Sequence, residues 1–259
     1  MKKYQTDLTV RQIRKLSPTV VLLRLQSPVP LDEVQPGQFA QVLVEDSPKT
    51  FLRRPISIHF ADAKTGELWL LVNQVGEGTR HLARLKENDH LNLVFPLGSG
   101  FRLPEKESGR VLLLGGGVGV APLLLLGSVL KEKGYKVRYV LGAKKASDIV
   151  QKEEFERYGE VCVATEDGSM GHKGFVTTHP VLEECDDVCQ VYTCGPLPMM
   201  KAVARFASQK GLELQVSLEN KMACGLGACL CCVENTVRGH ECVCTEGPVF
   251  DVKDLLWQI

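Results

Sequence analysis

Near its C-terminal end the sequence places four thiols at a spacing that selects one chemistry over others. Cys224 is followed after four residues by Cys229, after two more by Cys232, and after eleven more by Cys244. A C-x4-C-x2-C run with a distal fourth cysteine is the ligand pattern of a plant-type [2Fe–2S] cluster. Gly225 and Gly227 let such a loop wrap a compact inorganic core, and small residues free backbone N–H groups for the sulfurs. A structural zinc ion also accepts four thiolates, and unligated buried cysteines are the plainest alternative. Zinc knuckles favour two matched short pairs, so the spacing and the glycines argue for iron–sulfur. Cys231 falls out of step with the two-residue spacing and Cys242 lies two residues before the last ligand, so both are read as non-ligands.

Two further signals concern phosphate. Gly115, Gly116, Gly117 and Gly119 follow the apolar run RVLLL and precede a helix expected to start near Ala121. A turn of this kind lets a pyrophosphate approach backbone N–H groups at a helix N-terminus. Glycine also serves tight strand-to-helix turns for steric reasons alone, and only the strand–helix context raises the functional reading. Upstream, LRRPISI sets Arg53 and Arg54 before a strand carrying Ser57, offering a fork of donors to phosphate oxygens. An arginine pair on a solvated barrel edge is the competing reading. GEGT, from Gly76 to Thr79, adds a second glycine turn at an expected helix start, so the two together suggest a second nucleotide.

These residues need scaffolds of two kinds. Over residues 4–101 the chain runs in short β-rich segments, LTVRQIRKL, VVLLRLQS, FAQVLVE, ISIHFA, LWLLVNQV and HLNLVFPLG, at spacings that suit an antiparallel barrel. Residues 104–109 read as a polar linker. Beyond it, strands at RVLLL, VRYVLGA, EVCVATEDG and QVYTCGP alternate with helices near residues 152–158 and 198–210, which implies a doubly wound parallel sheet. The expected organisation is a β-barrel plus α/β chain: an FAD-binding antiparallel barrel at 1–103, a nucleotide domain at 104–211, and a small [2Fe–2S] domain at 212–259.

Composition narrows the partners. Lys plus Arg and Asp plus Glu both total 31, so no summed field draws the chain to nucleic acid or an anionic membrane. No long apolar run and no signal-like N-terminal segment stand out, so a cytoplasmic protein is expected. In a reducing compartment ten cysteines, six of them from Cys224 to Cys244, point to metal ligation or redox chemistry before disulfides. Six histidines, among them His59 and His179, show no ligand spacing and are read as exposed or capping. Cys162, Cys185 and Cys189 are read as small hydrophobes. No Ser–His–Asp set or carboxylate pair calls for acid–base catalysis.

The order of RPIS at residues 54–57, GEGT, GGGVGVAP and the CGP at residues 194–196 resembles the ferredoxin–NADP reductase superfamily. With MACGLGACLCC and CTEGPVFD following, the whole chain is most similar to the electron-transfer subunits of type B, NAD-dependent dihydroorotate dehydrogenases. The resemblance implies that Arg54, Pro55, Ile56, Ser57, Leu71, Val72, Asn73, Gly78 and Thr79 line FAD. It implies that Gly115, Gly116, Gly117, Val118, Gly119, Cys194, Gly195 and Pro196 hold the nicotinamide nucleotide, and CTEGPVF favours Cys244 as the fourth ligand. Asn73 departs from an aromatic–basic pair that the family carries at Val72 and Asn73. Glu166 and Asp167, in TEDGSMGHKGFVT, follow a strand where acid favours NAD over NADP, with an ordinary acidic turn as the alternative.

The implied role is electron transfer in pyrimidine biosynthesis. An FMN-containing dihydroorotate-oxidising catalytic subunit, in a heterotetramer of two plus two, would feed [2Fe–2S], then FAD, then NAD+. The chain alone would not act on dihydroorotate. A subunit of a hydrogenase-linked or bifurcating NAD(P)H–ferredoxin reductase shares the motif order, and a zinc-stabilised nucleotide-binding module without electron transfer is the rival of another class.

Overall fold

The computed structural model describes residues 2–106 and 108–258. Glu107, within the expected linker, lies outside the described residues.

Six strands form a closed antiparallel barrel: β1 (Tyr4–Lys15), β2 (Val20–Gln26), β3 (Phe39–Val42), β4 (Arg54–Asp62), β5 (Glu67–Asn73) and β6 (His90–Leu97), in the spatial order β1-β2-β5-β4-β3-β6. A short helix α1 (Glu77–Leu82) follows β5. Alternation fixes each strand's register. Along β5, Leu68, Leu70 and Val72 fill the barrel interior, while Trp69 and Leu71 pack outward against the second half of the molecule. That strand is apolar throughout because both its faces are buried.

The second half is a sheet of seven strands, in the order β10-β9-β8-β7-β11-β12-β15. Its members are β7 (Arg110–Gly116), β8 (Lys136–Ala143), β9 (Glu160–Thr165), β10 (His172–Lys173), β11 (Val188–Cys194), β12 (Leu214–Ser217) and β15 (Val249–Asp251). Helices α2 (Leu123–Glu132) and α3 (Lys152–Glu156) lie on one face and α4 (Leu197–Lys210) on the other. Leu112 and Leu114 pack with α4, whereas Val111 and Leu113 pack with α2, so β7 is buried on both sides as a central parallel strand requires. The glycine turn differs in detail from expectation. A single 3-10 turn, Gly117–Val120, comes first, and α2 begins at Leu123 rather than Ala121.

The cysteine-rich segment is bound into this framework. A hairpin, β13 (Val233–Thr236) with β14 (Gly239–Cys242), is followed by β15, which pairs antiparallel to β12 at the sheet edge. None of these three strands shows in the sequence as an apolar alternation. Among the described residues no helix is long and apolar enough to cross a membrane.

His59 corrects the expectation that every histidine is exposed or capping. It is fully buried at the seam between the two halves. Its Nδ1 meets the Ala121 carbonyl at 2.8 Å and its Nε2 the Gln151 side chain at 2.7 Å. A carbonyl only accepts, so Nδ1 carries the proton. The atom facing Nε2 is the Gln151 Oε1, so a neutral ring needs that amide turned to present its N–H instead. Burial holds the ring's pKa below its ordinary 6.5, outweighing the Ala121 carbonyl that accepts from it. In the unfolded chain the same ring takes up a proton below that value, so stability is complete above it and is lost as pH falls. The loss is at most about 1.4 kcal/mol per pH unit. The melting temperature of the protein should therefore drop more steeply between pH 7 and 5.5 than that of His59→Gln; equal slopes would exclude the effect.

Candidate functional site

The sheet winds in two directions from β7, with β8 on one side and β11 on the other. Ligands of open parallel sheets bind at the strand carboxyl ends where the winding reverses. Gly115 of β7 stands opposite Cys194 of β11 at that point. The glycine turn and Gly195 touch backbone to backbone: a Cβ on Gly119 would lie 2.5 Å from the Gly195 Cα and 2.7 Å from its nitrogen. Gly119 thus lets two phosphate-approachable turns share one place.

A cleft of about 370 Å³ opens in front of this turn. Its barrel wall is Arg54, Pro55, Ile56, Ser57, Leu71, Asn73 and Thr79; Val118 and Ala121 form a second wall, and the run from Leu218 to Asn220 with Met222 and Pro248 forms a third. Arg54 and the GEGT turn converge, since a Cβ on Gly78 would come 3.0 Å from the Arg54 Nε. Thr79 is committed within that turn, accepting from the Gly76 N–H at 3.1 Å and donating to the Gly76 carbonyl. Arg53 does not join Arg54. Its guanidinium donates to the Gln41 carbonyl and to both oxygens of Asn92, tying β3 to β6. Val72 turns inward to the barrel core, so its side chain does not face the cleft.

The acidic pair lies elsewhere. Asp167 does not line the cleft. Its carboxylate accepts from the Ser169 hydroxyl at 2.6 Å and the Ser169 N–H at 2.9 Å, and these bonds hold it below the usual carboxylate range. Both bonds fall on Oδ1 of an exposed residue, a turn compatible with either reading the sequence left open.

Sequence reasoning passed over Glu219. It stands at the cleft mouth, 3.9 Å from the buried Cys194 thiol. The surrounding walls push its carboxyl above the usual range, and burial with the nearby Glu219 pushes the thiol well above its own. The available signal was its position, an acid ending the buried strand run LQVSL at the carboxyl edge of the sheet.

The four cysteines draw together through local pairing. Antiparallel β13 and β14 set Val233 opposite Cys242, and the Val243 N–H bonds the Cys232 carbonyl at 3.1 Å. The chain then turns, with the Thr245 and Glu246 N–H groups bonding the Cys242 carbonyl. That turn brings Cys244 under the glycine loop, where the Gly227 N–H donates to its sulfur at 3.2 Å. The Leu226 N–H donates to Cys224 at 3.3 Å and is the main cause of a thiol pKa pulled down to about 6. The thiols lie near enough to influence one another, Cys229 acting on Cys224, and Cys232 and Cys224 on Cys244. Among the described residues no three His, Cys, Asp or Glu side chains converge on a single ion. Four thiols gathered in a glycine loop, two of them accepting backbone N–H bonds on sulfur, fit an iron–sulfur centre. Cys231 faces away, toward the Lys221 carbonyl.

Barrel, reversed-winding sheet and thiol loop around one cleft define an oxidoreductase of the ferredoxin reductase type. Residues 113–205 match the oxidoreductase NAD-binding domain, and residues 219–256 match the iron–sulfur cluster binding domain of dihydroorotate dehydrogenase B. The electron transfer subunit of dihydroorotate dehydrogenase B (NAD(+)) from Shouchella clausii is 38% identical over 99% of this chain and 100% of its own length. That from Caldanaerobacter subterraneus is 43% identical over 86% and 87%. Among solved structures, an NADH-dependent reduced ferredoxin–NADP oxidoreductase, described in connection with flavin-based electron bifurcation, superposes with a TM-score of 0.85 at 30% identity, covering 96% of this chain and 90% of that one. The chain belongs to the family of dihydroorotate dehydrogenase B (NAD+) electron transfer subunits.

The Gly119–Gly195 contact is open to test. A methyl there meets backbone on the opposite side, which cannot rotate away. Gly119→Ala should lose about 1–3 kcal/mol of stability in urea unfolding and bind NADH more weakly; an unchanged midpoint and affinity would show that the turns do not need this closeness.

Proposed function

We propose that this chain carries electrons from the FMN of a dihydroorotate-oxidising catalytic subunit to NAD+, in pyrimidine biosynthesis, as half of a two-plus-two heterotetramer in the cytoplasm. The single observation that carries this reading is the shared cleft: its walls come from the barrel strand β4, from the glycine turn, and from Met222, two residues before Cys224. Cys224, Cys229, Cys232 and Cys244 hold a [2Fe–2S] cluster. Arg54, Pro55, Ile56, Ser57, Leu71, Asn73, Gly78 and Thr79, with the backbone of Val72, hold FAD; the turn from Gly115 to Gly119 and Cys194, Gly195 and Pro196 hold NAD, with Asp167 at its outer end.

Flavin, when bound, exchanges a hydride with nicotinamide and single electrons with an iron–sulfur centre. The chain's own residues orient and shelter. Arg54 offers its fork to a pyrophosphate where the GEGT turn brings backbone close. Apolar Ile56, Leu71 and Val118 keep water from the middle of the cleft. Burial keeps the Cys194 thiol protonated, so it adds no negative charge where electrons gather. Around Cys229, itself exposed, Leu226 and Leu230 are 51% and 65% exposed, an apolar fringe suited to a partner's surface.

The isolated chain should oxidise NADH with an artificial one-electron acceptor and leave dihydroorotate untouched; turnover of dihydroorotate by the pure chain would overturn the assignment. Reconstitution with a dihydroorotate-oxidising subunit separates it from the bifurcating reductase reading, which the 30% identical neighbour favours. Cys229→Ser should lose cluster absorbance and iron while retaining flavin, and an unchanged iron content would remove Cys229 from the ligand set.

A further inference from the structure

Gln41 is fully buried, and neither its Nε2 nor its Oε1 finds a hydrogen-bond partner among the described residues. A buried amide left unpaired costs about 1–3 kcal/mol, so a native protein keeps one only where something answers it. The position would accept an apolar residue: neighbouring Ala40 and Val42 face the barrel core, and Gln41, like Phe39, points out of the barrel. On that outer side Phe39 packs in one apolar cluster with Cys232 and Cys244.

What Gln41 meets is the thiol loop. A Cβ on Gly225 would lie 2.6 Å from the Gln41 Cγ and 2.7 Å from its Nε2. Gly225, at φ +72°, follows Cys224 directly, so the loop is bent to admit this side chain. The backbone donors nearby are already spent on sulfur, Leu226 on Cys224 and Gly227 on Cys244. The Gln41 carbonyl is held by Arg53, which leaves the side-chain amide as the group without a role in the barrel. Gln41 does not line the nucleotide cleft, so its amide answers the loop and not the flavin.

Resting on the cluster assignment above, we infer that Gln41 donates its side-chain N–H to a sulfur of the iron–sulfur centre and tunes its potential. Sulfide and thiolate accept such bonds, and acceptance strengthens as negative charge is added, so the bond favours the reduced centre. The barrel strand that carries the bond also adjoins β4, so one scaffold couples the cluster to the flavin wall.

The test is an EPR-monitored redox titration of the full chain, with flavin and partner subunit, for wild type and Gln41→Met. The variant is expected to keep its iron and acid-labile sulfide while its reduction equilibrium shifts about tenfold toward the oxidised form, a potential about 59 mV lower for one electron. A full iron complement with an unchanged potential overturns the inference and leaves the cluster assignment standing. Wild-type chain without iron overturns both. Should Gln41→Met fail to fold or to hold iron, wild-type protein labelled with 15N at the glutamine side chain decides. Pulsed EPR of its reduced state should detect a weak 15N coupling, and absence of that coupling overturns the proposal.

Discussion

The antiparallel pairing of β15 with β12 is the constraint on which the site depends. Gln215, Val216 and Ser217 pair with Asp251, Phe250 and Val249, and the Leu218 N–H extends the ladder to the Pro248 carbonyl at 2.8 Å. Val216 and Phe250 are buried in the apolar cluster that also holds Cys232 and Cys244. Because the chain leaves the sheet at Leu218 and returns at Pro248, the segment between, the β13–β14 hairpin included, has both ends fixed at the cleft. The cysteine segment therefore sits beside the nucleotide turn by virtue of sheet hydrogen bonds and apolar burial, and metal binding acts on a segment already held in position.

A second seam complements the first. The outward faces of β2 and β5 pack on the side of the sheet that carries α2, and His59 joins β4 to Ala121 beside the glycine turn. One bond thus runs from the strand that begins at Arg54 to the turn that follows β7. In a molecule built to pass electrons over short distances, fixing these walls relative to each other matters more than any single contact within a wall.

How much of this was legible in the sequence follows from the range of the interactions involved. The six barrel strands and the four central sheet strands announce themselves by alternation or by unbroken apolar runs, because burial dictates residue type one position at a time. The thiol spacing and the glycine turn were legible because their chemistry is local. β13, β14 and β15 were not: sequences such as VENT, GHEC and VFD carry no alternation, and their pairing is imposed by distant partners. His59, Gln41 and Glu219 share that fate. Each lies inside or beside a strand that the sequence reveals, but its role depends on what a remote segment brings to it. Val72 illustrates the converse, since its neighbours in sequence face the cleft while strand pleating turns it to the core.

The four thiols are sheltered unequally: Cys229 is exposed, Cys224 intermediate, and Cys232 and Cys244 buried. Corrosion consequently has a direction. Peroxide and oxygen reach the outer pair first and climb the sulfenic-to-sulfonic ladder there, while the inner pair stays behind the hairpin and the apolar cluster. A chain exposed in this way ages from its outer rim inward.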